Sequence, residues 1–336
     1  MLEEQFKRAT ELINRHSDIL LFTHQTPDGD AIGSLLATAI ALENLGKRVV
    51  PFCADSVPEV FSFLPKIERV ENKIGFQSQS VVILLDCQDF KRTGIDEKDF
   101  KILSNRFNLK EIDSIVIDHH PEENKGVLQY TSASVNIIEP KMAATTEILF
   151  ELFENMKVKI NKDIATCLLT GLITDTGGFQ HSNTDPRVMR IAAILLTKGA
   201  HLNKIIRNIF QNKTMPSLKI WGRALERVKI DKTTKAAVSF LNRKDLEECH
   251  ATLEDLSGVA NMLSTIPEAR FALFLTEYEP RKISGSLRSE EYKGVDVARL
   301  ARRLGGGGHK LAAGFEIEGN PEDAFKIVNR EILTDI

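Results

Sequence analysis

His24, Asp28 and Asp30 stand close together in Leu20-Leu21-Phe22-Thr23-His24-Gln25-Thr26-Pro27-Asp28-Gly29-Asp30-Ala31-Ile32-Gly33-Ser34, where an apolar run ends in a histidine, a proline-bearing turn follows and a small-residue helix pattern begins. The pattern predicts a strand, a turn and a helix start. It sends all three side chains to the carboxyl end of the strand, where open α/β sheets hold their ligands. Such a trio suits a divalent cation. An Asp28-Gly29 turn with Asp30 capping the helix accounts for the same residues without any ligand. Recurrence separates the two readings, because acids return at the ends of apolar runs at Asp86, at Asp118-His119-His120 and at Asp175.

Asp86 directly follows Val81-Val82-Ile83-Leu84-Leu85. A carboxylate at the end of a buried strand costs several kcal/mol, roughly, unless a cation or backbone amides compensate it. In Ser114-Ile115-Val116-Ile117-Asp118-His119-His120-Pro121 a second such strand ends in titratable groups. Adjacent imidazoles point in different directions, so one can ligate an ion while its neighbour faces a substrate phosphate, and Asp118 is placed either to hold an imidazole in the ligating tautomer or to cap the loop. Asp175, in Thr174-Asp175-Thr176-Gly177-Gly178, closes an apolar helix pattern. The glycines fit a helix stop, but an acid at the negative end of the helix dipole calls for a nearby cation.

Together Asp28, Asp30, Asp86 and Asp175 supply carboxylates, and His24 and His119 supply imidazoles. Oxygen and nitrogen donors without sulfur favour manganese over a thiolate zinc site, with magnesium or cobalt as other occupants. Paired divalent ions sharing one carboxylate are the usual apparatus of phosphoester hydrolysis. A further signal is Gly305-Gly306-Gly307-Gly308-His309-Lys310. Its glycine amides can form an anion-binding nest, although a plain flexible turn has the same composition. Arg288, in Ser286-Leu287-Arg288-Ser289, is either a bidentate phosphate clamp or a solvated strand-end arginine.

The elements that must carry these residues read as two domains, the usual outcome for a chain of 336 residues. Short apolar runs alternating with helical patterns at 19–24, 31–45, 48–53, 81–86 and 114–118 predict an α/β fold with a mostly parallel sheet flanked by helices. Helical patterns follow at 141–155 and 161–174. Residues 1–185 form the expected catalytic domain, 186–227 a helical connector carrying Trp221, and 228–336 a second, smaller mixed α/β domain. In the latter a hairpin is expected around Asp231 to Thr234, a helical pattern at 246–263, strands at 270–276, 282–288 and 315–317, and a helix at 295–304.

Composition narrows the function. A formal net charge of -3 argues against coating long nucleic acid, which takes a basic field. Any nucleic-acid substrate is therefore short or gripped at one end. Cys53, Cys87, Cys167 and Cys249 are widely spaced, which reads as buried thiols rather than a disulfide framework. No apolar run has the length of a membrane span and the N-terminus lacks a signal-peptide pattern, so a cytoplasmic location is expected.

His24-x-x-x-Asp28-x-Asp30, Asp86, Asp118-His119-His120 and Asp175, followed by Gly306-Gly307-Gly308-His309, resemble the motifs of the DHH phosphoesterases and of their associated C-terminal domain. The resemblance covers nearly the whole chain and is most similar to the bacterial oligoribonucleases that degrade nanoRNA and remove the 3′-phosphate of pAp. It implies one manganese ion held by His24, Asp28 and Asp86 and a second held by Asp30, Asp86, His119 and Asp175. It further implies that His120 contacts the scissile phosphate, that Arg288 and His309 hold a substrate phosphate, and that the protein is a homodimer. The expected substrates are RNA or DNA oligonucleotides of a few residues, pAp and dinucleotides. Breakdown of a linear or cyclic dinucleotide messenger and a catalytically inactive nucleotide sensor are the competing readings, the latter opposed by the intact donor set.

Overall fold

The computed structural model describes residues 2–75, 79–121, 134–319 and 321–333, without the side chains of residue 309 or of 321, 322, 332 and 333. The chain divides into two compact units, Met1–Asn212 and Lys213–Ile336.

The first unit contains α1 (Leu2–Arg15), β1 (Asp18–Phe22), α2 (Gly29–Asn44), β2 (Arg48–Phe52), β3 (Val81–Leu85), α3 (Glu97–Asn108), β4 (Asp113–Asp118) and β5 (Val135–Ile138). It continues through α4 (Thr145–Asn155), α5 (Lys162–Asp175), α6 (Pro186–Thr197) and α7 (Leu202–Ile206). The sheet order is β2-β1-β3-β4-β5, and every pairing is parallel. Helices cover both faces, which explains why the strands are apolar throughout. Ile19, Leu21, Val81, Ile83 and Leu85 pack on one side with residues of α1, α2, α4 and α5. Their neighbours Leu20, Phe22, Val82 and Leu84 pack on the other with Leu103 of α3. The direction of strand order changes between β1 and β3, which creates the crevice where ligands bind in such sheets.

Small residues let α2 and α5 approach closely. A Cβ at Gly33 would meet the Cys167 carbonyl oxygen, and one at Gly171 would overlap the Asp30 carboxylate and the Thr146 side chain. This approach brings the start of α2 beside the end of α5.

The second unit contains α8 (Met215–Glu226), β6 (Lys229–Ile230), β7 (Ala236–Leu241), α9 (Arg243–Cys249), α10 (Val259–Ser264), β8 (Phe271–Glu279) and β9 (Lys282–Arg288). It ends with α11 (Val297–Arg303), β10 (Gly307–His309), β11 (Ala312–Glu318) and α12 (Pro321–Leu333). Its sheet runs β10-β11-β9-β8-β7-β6 and is mixed, with only β7 and β8 parallel among the described pairs. The predicted hairpin is β6 and β7. Residues 186–227, expected as a connector, are largely helical and are divided between the units, α6 and α7 in the first and α8 in the second. The helical pattern at 246–263 is interrupted, because His250 at φ 52° ends α9 and Gly258 at φ 94° precedes α10. Among the described residues no helix is long and apolar enough to cross a membrane.

Candidate active site

Parallel strand order places the ends of β1, β3 and β4 side by side, and each is followed by a predicted site residue. His24 lies just beyond β1, Asp86 immediately after β3, and His119 and His120 immediately after β4. Asp86 is buried and adopts φ 56°. A non-glycine residue in the left-handed region is uncommon and concentrates at functional sites; here its amide still bonds the Ile117 carbonyl at 3.0 Å.

The two oxygens of Asp86 face different groups. Oδ2 lies 3.5 Å from His24 Nε2, and Oδ1 lies 3.7 Å from His119 Nε2. Donor atoms of His24, Asp28 and Asp86 lie within 4.8 Å of one another, as do those of Asp30, His119 and Asp175 and those of Asp86, His119 and His120. His119 Nε2 is 3.1 Å from Asp175 Oδ2. The structure thus gathers the residues of four sequence segments into one cluster.

Asp28 is the N-cap of α2, its Oδ1 accepting from the Asp30 and Ala31 amides at 3.0 Å each. Asp30 therefore does not cap α2, as one sequence reading had it. Its side chain is fully buried at the start of α4, where Oδ2 accepts from the Thr145 amide at 2.6 Å and Oδ1 from the Thr146 amide and hydroxyl at 3.0 and 2.7 Å. The positive end of the α4 dipole and its unpaired amides stabilise that charge. Thr145 also donates its hydroxyl to Asp86 Oδ1 at 2.9 Å. Sequence reasoning missed both threonines. The Thr145-Thr146-Glu147 opening of an apolar helix marks an N-terminus, but it does not reveal that the acid it meets lies 115 positions away.

The imidazoles are oriented from behind. His24 Nδ1 lies 2.7 Å from the Gln25 carbonyl, so that nitrogen carries the proton and Nε2 faces Asp86. His120 Nδ1 lies 2.7 Å from Asp118 Oδ1, which also accepts from the His120 amide at 2.9 Å. Asp118 thus serves His120. At the end of α5, Thr176 is the C-cap, and Gly177 and Gly178 have φ 56° and 70°, the helix stop read from sequence. His181 Nδ1 and Asn183 Nδ2 both approach the Asp175 carbonyl at 3.2 Å.

Electrostatics show the strain of crowding acids together. Asp28 is exposed as a residue, but desolvation of its carboxylate, then the charges of Asp86 and Asp175, push its pKa up to about 6, and the same causes push the buried Asp30 well above its ordinary value. Burial opposes ionisation of Asp86 too, but His24, His119 and His120 overcome it and hold its pKa below the usual value. Burial likewise opposes protonation of His24 and His119, yet the surrounding carboxylates raise them to about 9 and 10. His120 is raised against burial by Asp118 and Asp86.

These residues fit divalent cations. Their donors are oxygens and imidazole nitrogens, and among the described residues no lysine or arginine forms an ion pair with Asp28, Asp30, Asp86 or Asp175. His119 Nε2 is buried beside Asp175 and Asp86, at 3.1 and 3.7 Å, without good hydrogen-bond alignment to either. The nearby Cys53 and Cys87 thiols, pushed by burial up to about 11 and about 12, donate to the His24 and Asp89 carbonyls.

In the second unit, Arg288 and His309 are both paired with Ala312, Arg288 across β9 and β11 and His309 across β10 and β11. Strand spacing separates the two positions by roughly 10 Å. The His309 side chain lies outside the described residues. Gly307 and Gly308 run with His309 as a strand rather than a loop, and a Cβ at Gly306 would collide with the Gly314 carbonyl.

The chain is similar to known proteins in sequence and fold. The DHH family, N-terminal domain, matches residues 18–172, and the DHHA1 domain matches residues 233–334. The bifunctional oligoribonuclease and PAP phosphatase NrnA of Thermus thermophilus is 30% identical, over 94% of this chain and 89% of its own length. That of Bacillus subtilis is 27% identical, over 92% and 93%. The crystal structure of an exopolyphosphatase-related protein from Bacteroides fragilis superposes with a TM-score of 0.88 at 26% identity, covering 98% of this chain and 96% of that one.

Proposed function

The chain belongs to the DHH family, and from that membership we propose that it hydrolyses short oligoribonucleotides to mononucleotides and pAp to AMP and phosphate. The observation that carries this reading is Asp86, a carboxylate with one oxygen toward His24 and the other toward His119. Relatives of nearly full-length similarity named as oligoribonucleases and PAP phosphatases support the substrate class.

In this reading His24, Asp28 and Asp86 hold one manganese ion, and Asp30, Asp86, His119 and Asp175 hold a second. When bound, such ions neutralise phosphate charge and make a nucleophile available near neutral pH. The chain's own residues do the rest. The α4 amides bond both oxygens of Asp30 and fix the carboxylate in place. Thr145 fixes Asp86. Asp118 holds the Nδ1 proton of His120, so His120 presents its Nε2 proton to a phosphate oxygen and stabilises the charge that develops there. Arg288, Gly306, Gly307, Gly308 and His309 bind a second phosphate or the nucleotide that carries it. The protein works in the cytoplasm, a placement supported by four buried cysteines, all free.

Purified protein supplied with manganese is given pAp, the linear dinucleotide pApA and a five-nucleotide RNA, with products resolved over time. Release of AMP from pAp and stepwise shortening of the RNA are expected, both abolished by chelation. Turnover confined to pApA would replace this reading with a dedicated messenger phosphodiesterase, and binding without products would make the chain a sensor.

A further inference from the structure

Arg288 is held by an amide where a carboxylate of the same shape would fit. Its Nε donates to Asn261 Oδ1 of α10 at 2.7 Å, and its Nη1 donates to its neighbour's carbonyl, Leu287 O, at 2.8 Å. Both acceptors are neutral. A guanidinium has five donors and no acceptor, so these bonds fix its plane while leaving donors on both terminal nitrogens. The structural arginines of the same unit are treated differently. Arg223 and Arg227 both bond the buried carboxylate of Asp245, at 3.0 and 2.5 Å. No acidic side chain among the described residues pairs with Arg288, and burial alone displaces its pKa, downward. A half-buried, oriented and uncompensated guanidinium carries an unmet demand for an anion.

We infer that Asn261 is a positioning residue for substrate binding, orienting the Arg288 guanidinium for a substrate phosphate without neutralising it. This rests on the proposed role of Arg288 as a phosphate ligand. An aspartate at 261 would make as good or better a bond to Nε, because a charge-assisted bond is the stronger one. It would also place a permanent competitor on the group that substrate must reach. Folding and binding are therefore predicted to move in opposite directions, a signature that a purely structural hydrogen bond does not produce.

The test uses the manganese-loaded full chain with pAp, comparing Asn261→Asp, Asn261→Ala and Arg288→Ala by steady-state kinetics and thermal unfolding. Asn261→Asp is expected to raise KM about tenfold or more, the scale of one charge-assisted contact, with kcat within about twofold and an unfolding temperature equal to or above that of the parent. Asn261→Ala is expected to raise KM by a smaller factor. If Arg288→Ala raises KM while Asn261→Asp, folded, leaves it unchanged, the inference about Asn261 is overturned and the role of Arg288 stands. If Arg288→Ala also leaves KM unchanged, the role of Arg288 falls and the inference with it. Should Asn261→Asp fail to fold, its stabilising bond is absent and the inference is overturned on that count.

Discussion

Asp118 Oδ1 accepts both the ring Nδ1 proton and the backbone amide of His120, at 2.7 and 2.9 Å. One carboxylate oxygen thereby sets the backbone turn after β4 and the tautomer of the imidazole that turn carries. The acid of this Asp-His-His triplet acts as a support for the second histidine, and the first is left facing Asp86 and Asp175.

Asp118→Asn keeps a hydrogen-bond acceptor but removes the charge that helps keep His120 protonated. Loss of such a supporting group lowers activity by about 10- to 100-fold. With pAp as substrate, kcat should fall by that factor while manganese still binds. A drop in manganese affinity with unchanged kcat would reassign His120 to the ion.

Thr145 bridges the two most deeply buried acids of the cluster, giving its amide to Asp30 and its hydroxyl to Asp86. Thr145→Val preserves shape and the amide but deletes the hydroxyl. A buried acceptor stripped of its donor loses about 1–3 kcal/mol. Calorimetric titration with manganese should show affinity weakened by about tenfold or more, with the far-ultraviolet spectrum unaltered. Undiminished affinity would show that Asp86 does not need this bond.

Gly171 of α5 is the floor under Asp30, since a Cβ there would overlap the carboxylate. Gly171→Ala favours the helix by about 1 kcal/mol on propensity alone, yet it should lower turnover by displacing Asp30. Full activity in a folded Gly171→Ala protein would mean that the carboxylate can shift without consequence.

In the second unit, burial works against ionisation of Asp245, but the Arg227, Asn242 and Arg223 donors prevail and hold its pKa below the ordinary 3.8. A depressed carboxylate pKa stabilises the fold above the unfolded value, and the stabilisation is lost as pH falls through the folded one. Asp245→Asn should therefore lower the unfolding temperature at pH 7, by the equivalent of about 1–2 kcal/mol after allowance for the exposed part of both guanidiniums. The gap to the parent should close below pH 3.8. A gap independent of pH would assign the loss to packing.

The parallel sheet was legible because its strands are buried on both faces and carry unbroken apolar runs, as in Val81–Leu85. The acids at their ends were legible for the same reason, since a charge closing such a run is conspicuous. Less could be read where the cause lies in tertiary structure. The polar helix α3 has one buried residue, Leu103, and so gives little periodic signal. The strand Val135–Ile138 is short and alternates between buried and half-buried residues. The cap of α2 fell to Asp28 rather than Asp30 because the α4 amides claim Asp30, a contact that no local pattern encodes. Asn261 was invisible for the same reason, as its partner Arg288 lies 27 positions away.

A metal centre shared through Asp86 should lose both of its ions together when that carboxylate is removed. Equilibrium dialysis of chelator-stripped protein against manganese tests it most directly, comparing the parent with Asp86→Asn. Two ions per parent chain are expected, with tight binding lost at both positions in the variant. Equal manganese content in the two proteins would contradict a shared centre.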